Sequence, residues 1–312
     1  MGYASVCAKS AAACSDRTAR VFQRKKSGLS RTKKTGKMNR VCAGPGRVDK
    51  RPGPTYNTNV VLQTCGRMNK GRCASMIADI HHHIIYGVDD GSKDLEMSIG
   101  MLNRAVENDV KGICCTSHAR PGHKPFPWKE YMTHIEELGG YIQKKNLPLS
   151  LFTGCEILYA EKAVEMARRG EVPTLNNRSH VLVEFLPITD WGQVEKAARE
   201  FANAGLHMVC AHVERYQCLR EDIERLYTLH DEYDVICQMN ASTVIRSHGL
   251  FGDRWVKKAL KAGLIDVAAS DAHDISGRAC NMKECRQILV RDYGEEKARE
   301  MTEEMPYHIL FD

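Results

Sequence analysis

The fold is decided by a short apolar run that ends in three histidines, MIADIHHHI at residues 76–84. Its β-branched residues predict a strand. Side chains alternate along a strand, so Asp79, His81 and His83 should point one way and His82 the other. Two imidazoles on one face suit a transition metal, and Asp79 is placed to orient one of them. The run therefore predicts a strand with a metal site at its C-terminal end.

The same pattern of a short apolar run followed by a helical stretch repeats along the chain. Seven strands are predicted, at residues 77–81, 112–116, 149–153, 180–184, 207–211, 235–239 and 266–270. Helices are predicted at residues 95–108, 128–145, 160–169, 191–204, 222–232, 255–262, 282–291 and 295–305. Gly205, Gly263 and Gly294 mark helix ends. The alternation predicts an α/β architecture with a parallel sheet, either open and doubly wound or closed as a barrel.

Polar residues suited to catalysis follow six of the seven predicted strands, and this favours the barrel. In a barrel all strand C-termini surround one mouth, whereas an open sheet offers them only at a switch point. After the first strand and its Asp89-Asp90 turn, the candidates are Ser117-His118, Glu156, Glu184, His212 and Ser270-Asp271-Ala272-His273. Each alone has an ordinary explanation, such as a helix cap.

Together these residues supply four or five histidines and several carboxylates. This donor set suits Mn, Fe or Zn better than Mg or Ca. The donors outnumber the ligands of one tetrahedral site, which indicates a centre with more than one metal. Such centres mostly activate water for an in-line displacement at phosphorus. The sequence has no Cys-x5-Arg loop, so a cysteine-nucleophile phosphatase is not supported.

The first 75 residues differ in composition from the rest. They carry 17 Lys and Arg against 2 Asp and Glu, whereas the remainder carries 28 against 37. Low hydrophobicity and high net charge predict a disordered extension over residues 1–75, before a folded domain over residues 76–312. The extension could bind nucleic acid or an acidic membrane surface, or act as a targeting peptide. A mis-assigned start, with the working protein beginning at Met76, is favoured by the abrupt contrast in charge.

The cysteines and the hydropathy bound the class of protein. Five of the 13 cysteines precede Met76, and no CxxC pair has zinc-site spacing. This unpatterned set indicates reduced thiols in a cytoplasmic protein. No window holds the roughly 18 consecutive apolar residues of a membrane span. With 43% hydrophobic residues, the chain can bury a sizeable core.

The motifs, taken in order, resemble the polymerase and histidinol phosphatase (PHP) superfamily. Within it they are most similar to the bacterial metal-dependent protein-tyrosine-phosphatase branch of the CpsB/YwqE type. The resemblance covers residues 76–312 and rests on DIHHHI, VDDG, TSH, GCEI, VEF, AHVERY, FG and ASDAHDISGR. It implies a distorted seven-stranded (β/α)7 TIM-like barrel with metals at the strand C-termini.

The resemblance also implies a role for each site residue. The family's metal-ligand positions are occupied by His81, His83, Asp90, His118, Glu156, Glu184, His212, Asp271 and His273. Arg215 and Arg278 match the arginines that hold phosphate, while Asp79 and Glu214 support the ligands from behind. The implied cofactor is two to three ions of Mn²⁺, with Fe or Zn as alternatives. Two departures are His82, in place of a small polar residue, and Ala279-Cys280-Asn281, in place of prolines.

The implied activity is hydrolysis of phosphotyrosine by metal-activated water. The implied substrate is the tail of a bacterial tyrosine kinase that controls capsular or exopolysaccharide synthesis, and an oligomer is compatible with the sequence. One alternative is a histidinol-phosphate or other small phosphomonoester phosphatase. Another is a nucleic-acid-binding protein that works through the basic tail, although the intact ligand set argues against it. The segments 214–216 and 276–278 favour the tyrosine branch.

Overall fold

The computed structural model describes residues 76–312, so the disordered extension predicted over residues 1–75, and the functions considered for it, lie outside the described residues. All seven predicted strands form. They are Ile77–His82 (β1), Val110–Ala119 (β2), Ser150–Leu158 (β3), His180–Glu184 (β4), His207–Cys210 (β5), Ile236–Asn240 (β6) and Val267–Ala269 (β7). Each pairs in parallel with the next along the chain. This is the predicted α/β arrangement.

The sheet closes into a barrel between β7 and β1, at the C-terminal ends of both strands. The Asp271 N–H donates to the His81 carbonyl at 2.9 Å, and the His83 N–H donates to the Ala272 carbonyl at 2.9 Å. His82 and Ala272 form the single bridge between the two strands. The closure therefore brings the histidines of β1 next to the loop that follows β7.

Helices follow the strands, as the alternation predicts. The α-helices are Leu95–Glu107 (α1), Trp128–Lys145 (α2), Ala163–Arg169 (α3), Trp191–Asn203 (α4), Gln217–Glu221 (α5), Glu224–Tyr233 (α6), Ala241–Arg246 (α7), Arg254–Lys261 (α8), Met282–Tyr293 (α9), Glu295–Arg299 (α10) and Met305–Phe311 (α11). Short 3₁₀ turns lie at Leu175–Asn177 and Val213–Arg215. The predicted helix at 295–305 is instead α10, a π-helical segment at Glu300–Glu304, and α11. The sequence reasoning missed α5 and α7, which are too short for a periodic pattern.

Two apolar clusters hold the barrel together. The larger one lies between the strands and the surrounding helices and includes Ile113, Leu138 and Phe201. The smaller one contains the alternate strand residues, among them Phe152, and Leu310 of α11. Since strand side chains alternate between faces, the smaller cluster fills the barrel interior, and α11 covers it from the N-terminal ends of the strands. The C-terminal ends of the strands stay open for polar side chains.

Helix boundaries follow local capping chemistry. The Asp94 carboxylate accepts the Met97 N–H at 2.8 Å and starts α1, and the Asp190 carboxylate accepts the Gln193 N–H at 3.2 Å and starts α4. Gly205, Gly263 and Gly294 follow their helices with positive φ angles, which confirms the predicted helix ends. Among the helices of residues 76–312, none is long and apolar enough to cross a lipid bilayer.

Candidate metal centre

Four buried donors converge at the barrel mouth. The Nε2 atom of His81 lies 3.2 Å from Oε2 of Glu156 and 3.3 Å from Oδ1 of Asp271. The Nε2 atom of His83 lies 3.3 Å and 3.5 Å from the same two oxygens, and 3.2 Å from the His81 Nε2. Ligands of a tetrahedral ion bound at about 2.0–2.2 Å lie roughly 3.3–3.6 Å apart. The His81 and His83 Nε2 atoms and a Glu156 carboxylate oxygen are therefore spaced to hold one metal ion, and Asp271 lies beside them.

A second group of donors shares Glu156. The register pairs His118 of β2 with Glu156 of β3, so the two side chains stand next to each other. The His118 Nδ1 lies 3.2 Å from Oε2 of Glu156 and 3.1 Å from Oε1 of Glu184, and the Nε2 of His212 lies 2.9 Å from the Glu156 Oε1. A carboxylate between two donor groups is placed to bridge two ions.

A third group lies towards solvent. The Nε2 of His118 is 3.1 Å from Oδ1 of Asp90, and the Nε2 of His273 is 3.9 Å from the same oxygen. A neutral imidazole has a single free lone pair, so His118 can serve the second or the third group but not both. The nine predicted ligand residues thus lie together at the barrel mouth, and three overlapping sets among them are spaced to hold a metal ion: His81, His83 and Glu156; His118, Glu156 and Glu184; and His83, Asp90, His118 and His273.

A hydrogen bond on the far side of the His83 imidazole fixes its tautomer. The Nδ1 of His83 lies 3.0 Å from Oδ2 of Asp89, which also accepts the backbone N–H of His118 at 3.0 Å. Burial raises the pKa of Asp89, but its hydrogen bonds with His83 and the Gly91 N–H and the charges of the nearby histidines together outweigh this and lower the pKa to about 2. An ionised Asp89 accepts the Nδ1 proton and leaves the Nε2 lone pair facing the donor cluster. The sequence reasoning missed Asp89, although the turn VDDG offered two carboxylates.

Strand β6 contributes an amide network that the sequence reasoning also missed. The Oε1 of Gln238 lies 3.2 Å from Nδ1 of His81 and accepts the His212 N–H at 2.7 Å. The Nε2 of Gln238 donates to Oδ1 of Asn240 at 2.9 Å, and Nδ2 of Asn240 donates to Oδ2 of Asp271 at 2.8 Å. Two amides at alternate positions of a buried strand thus support three of the predicted ligands. The signal in the sequence was that Gln238 and Asn240 are two residues apart on a predicted strand, so their side chains should share one face.

The expectation for Asp79 is corrected by an irregularity in β1. The register with β2 pairs Asp79 with Ile113 but His82 with Cys115, so β1 has one extra residue between these points. A bulge of this kind reverses the alternation, which places Asp79 on the face opposite the metal-site histidines. Its Oδ1 accepts the Ser270 N–H at 2.9 Å instead of an imidazole proton, and burial raises its pKa to about 6. Asp79 therefore tethers the backbone of the loop after β7.

His82 points away from the donor cluster, as predicted, but it is fully buried. Neither of its ring nitrogens has a hydrogen-bond partner within residues 76–312. Burial lowers its pKa to about 3, with a smaller contribution from the neighbouring histidines. His82 is therefore a neutral packing residue behind the strand.

Glu214 is also buried, and its Oε1 accepts the Asn240 N–H at 3.0 Å. Glu214 thus holds the backbone of Asn240, whose side chain donates to Asp271. It supports the donors indirectly, as predicted, through Asn240.

Two of the predicted ligand residues lie where their strands end in left-handed turns. His212 has a φ of 32° and Asp271 a φ of 53°, values that non-glycine residues rarely adopt. Backbone strain of this kind persists where the surrounding contacts determine it, and it is common at functional sites. The Nδ1 of His212 lies 3.2 Å from the hydroxyl of buried Tyr216. The turns aim both side chains at Glu156 and the β1 histidines.

Arg215 and Arg278 lie together at the open edge of the cluster. The Nη2 of Arg215 donates to Oδ2 of Asp271 at 2.7 Å, and the Nη2 of Arg278 donates to the same oxygen at 3.0 Å. Both side chains are 43% exposed. Burial raises the pKa of Asp271, but His81 and His83 hold it below its usual range. Asp271 thus faces the donors with one oxygen and the arginines with the other.

The thiols and a separate polar group take no part in this cluster. All eight cysteines of the described residues are buried and free, as predicted for reduced thiols.

At the other end of the barrel, Nε2 of His230 lies 2.7 Å from Oδ2 of Asp266, next to Cys237. The same Asp266 oxygen accepts the Cys237 N–H at 2.8 Å. These contacts fasten α6 to the starts of β6 and β7.

Comparisons with known proteins agree with this geometry. The family model described as capsular polysaccharide synthesis, CpsB/CapC, matches residues 77–311. The chain is 31% identical over 238 residues to the tyrosine-protein phosphatase CpsB of Streptococcus agalactiae, which covers 74% of this chain and 97% of that protein. It is 31% identical over 240 residues to the CpsB of Streptococcus pneumoniae, with 75% and 98% covered.

A solved structure supports the same relationship. It comes from work on YwqE from Bacillus subtilis and CpsB from Streptococcus pneumoniae, described as unique metal-dependent tyrosine phosphatases. It superposes with a TM-score of 0.67 at 26% identity, and covers 75% of this chain and 94% of that chain. The predicted PHP-type resemblance and the barrel are confirmed. The chain belongs to the CpsB/CapC family of capsular polysaccharide synthesis proteins.

Proposed function

We propose that this chain is a metal-dependent protein-tyrosine phosphatase that hydrolyses phosphotyrosine in proteins. The observation that carries the proposal is the buried cluster of imidazole and carboxylate donors around Glu156, with Arg215 and Arg278 at its open edge. Relatives aligned over nearly their whole length are named tyrosine-protein phosphatases. A cationic edge beside a metal cluster suits a phosphate monoester better than a neutral substrate.

We assign nine side chains as metal ligands, in the three donor groups described above. They are His81, His83, Asp90, His118, Glu156, Glu184, His212, Asp271 and His273. Imidazoles mixed with carboxylates suit Mn²⁺, with Fe or Zn as alternatives, and two to three ions fit the groups. When bound, these ions activate water for attack on phosphorus and offset charge on the phosphoryl oxygens.

The two arginines hold the phosphoryl group. Each guanidinium gives one N–H to Asp271 and keeps further donors on a partly exposed side chain. A guanidinium binds two phosphate oxygens through its planar fork. Asp271 therefore positions both arginines at the edge of the donor cluster, with their remaining N–H groups free for the phosphoryl oxygens.

No covalent intermediate on cysteine is expected. The eight described thiols are buried, and burial raises the pKa of each one. A thiolate nucleophile is therefore not available at neutral pH. The phenolate that leaves phosphotyrosine has a pKa of about 10, so it needs little help from a general acid.

We further propose the tail of a bacterial tyrosine kinase that controls capsular or exopolysaccharide synthesis as the substrate. The family description supplies the link to capsule synthesis. The working domain would span residues 76–312 and act in the cytoplasm. A phosphotyrosine peptide copied from such a tail should give a higher kcat/KM than histidinol phosphate, measured by phosphate release. Preference for histidinol phosphate would favour a small-molecule phosphatase instead.

Thiol alkylation should leave turnover unchanged, because the described cysteines are inaccessible and take no part in the reaction. The full chain is treated with iodoacetamide without denaturant, and phosphotyrosine turnover is compared with an untreated sample. A parallel sample treated with a chelator should lose turnover and recover it when Mn²⁺ is restored. Loss of turnover after alkylation, together with resistance to the chelator, would show that the metal mechanism is wrong.

Replacing Asp89 with asparagine should weaken metal binding by about 10- to 100-fold, the usual cost of losing a carboxylate behind a ligating histidine. The neutral amide is a poorer acceptor for the His83 Nδ1 proton, so the imidazole loses basicity and orientation. Metal affinity is measured by titration with Mn²⁺. Asp231→Asn, at an exposed carboxylate of α6, is the matched control. Equal affinities for Asp89→Asn and the control would refute the orienting role.

A further inference from the structure

A cleft of about 310 Å³ lies beside the donor cluster. Its lining includes Arg215, Asn240, Arg220, Arg246 and Asp253. Arg215 and Asn240 both contact Oδ2 of Asp271, at 2.7 Å and 2.8 Å. The cleft is therefore continuous with the edge of the donor cluster at which the phosphoryl group is expected. A segment of substrate next to the phosphotyrosine would lie in or over it.

The charges that line the cleft leave one cation available. Arg215 is paired with Asp271, and Arg220 is paired with Asp253 at 2.7 Å. The Nη2 of Arg246 donates only to the hydroxyl of Thr243, at 3.2 Å, and Arg246 forms no ion pair with any residue of 76–312.

Glu214 also contributes to the lining, but it is only 7% exposed. One of its oxygens is already bound to the Asn240 N–H at 3.0 Å. The free charge that the cleft offers a ligand is therefore positive, and it is carried by Arg246 at the end of α7.

An exposed apolar loop borders the same cleft. Ser247 and Asp253, at the two ends of the loop between α7 and α8, contribute to the lining. Between them, Leu250 is 95% exposed and Phe251 is fully exposed. Apolar side chains beside a cationic cleft suit a polypeptide, which offers side chains of both kinds, better than a small phosphate ester.

We propose that the cleft binds an acidic side chain that neighbours the phosphotyrosine in the substrate protein, with Arg246 as its ion-pair partner. This inference rests on the proposed tyrosine-phosphatase function and adds a sequence preference to it. Because Arg246 is exposed and its charge is screened by solvent, it contributes selectivity among peptides and leaves the hydrolysis of the phosphate itself unchanged.

Peptides that differ at one flanking residue test the proposal. One phosphotyrosine peptide carries glutamate beside the phosphotyrosine, a second carries glutamine, and a third carries lysine. Turnover of all three and of p-nitrophenyl phosphate is measured for the wild type, Arg246→Ala and Arg246→Glu. Arg199→Glu, at an exposed arginine of α4, is the matched control. Binding is measured separately by fluorescence anisotropy, with peptides that carry a non-hydrolysable phosphotyrosine analogue.

Arg246→Ala should lower kcat/KM and affinity for the glutamate peptide by about three- to tenfold, and leave the glutamine peptide and p-nitrophenyl phosphate unchanged. Arg246→Glu should shift the preference to the lysine peptide. An unchanged glutamate preference in Arg246→Glu, or an equal loss on p-nitrophenyl phosphate, would overturn the cleft's role. Absence of turnover in the wild type would count against the phosphatase function alone, because the anisotropy measurement decides the preference independently.

Discussion

Replacing His81 with alanine should remove bound metal and lower phosphotyrosine turnover by about a thousandfold. Its Nε2 lies 3.2 Å from the Glu156 Oε2 and 3.3 Å from the Asp271 Oδ1, so the first donor group loses one of its two imidazoles. Ions at such sites stabilise transition-state charge by several kcal/mol, and about 4 kcal/mol corresponds to about a thousandfold. The variant should keep its fold, because the side chain lies at the open end of the barrel.

Metal content and turnover are measured together on the purified variant. His207→Ala is the matched control, because His207 begins β5 at the opposite end of the barrel and its side chain is 48% exposed. The control should retain both metal and turnover. A His81→Ala protein with normal metal content, or with normal turnover, would show that this histidine is not a ligand of the working centre.

Arg215→Ala should lower turnover by about a hundredfold or more and leave the bound metal near its normal content. Losing one preorganised donor to developing charge typically costs about 2.7–4 kcal/mol. Arg215 also contacts Asp271, so its side chain has a partner within the site besides the phosphate. Asp271 nevertheless keeps Arg278 at 3.0 Å and Asn240 at 2.8 Å on the same oxygen. These two donors should hold the carboxylate in place.

Arg215→Lys should recover only part of the lost turnover, because an ammonium group cannot reproduce the two-point contact of a guanidinium. Metal stoichiometry and phosphotyrosine kinetics are measured on both variants. If Arg215→Ala loses metal as His81→Ala does, the arginine supports the metal site through Asp271. If it turns over like the wild type, the phosphate-holding role is mistaken.

The strand order and the place of the site could be predicted because each depends on local sequence. Short β-branched runs define the seven strands, and parallel strands must present their C-terminal ends together. His118, Glu156 and His212 were found on that basis, and the structure brings both histidines within hydrogen-bonding distance of Glu156. Which of these donors lie next to each other was not predictable, since their pairing depends on the register between strands.

The features that the sequence reasoning missed depend on details of the backbone. Strict alternation placed Asp79 with His81 and His83, but the extra residue in β1 reverses the face between them. The carboxylate behind His83 is Asp89, which reaches it only because the turn after β1 folds back. Gln238 was passed over because β6 ends without a charged residue. Neutral amides carry little signal until their partners are known.

The central claim is that phosphotyrosine hydrolysis depends on ions held by this cluster, and a metal titration tests it most directly. The purified full chain is stripped of metal with a chelator, dialysed, and titrated with Mn²⁺ while bound metal and turnover of a phosphotyrosine peptide are measured on the same samples. We predict negligible turnover without metal and a rise that follows bound metal, reaching its limit at two to three ions per chain. Turnover that is independent of bound metal, or absent at full loading, would contradict the account.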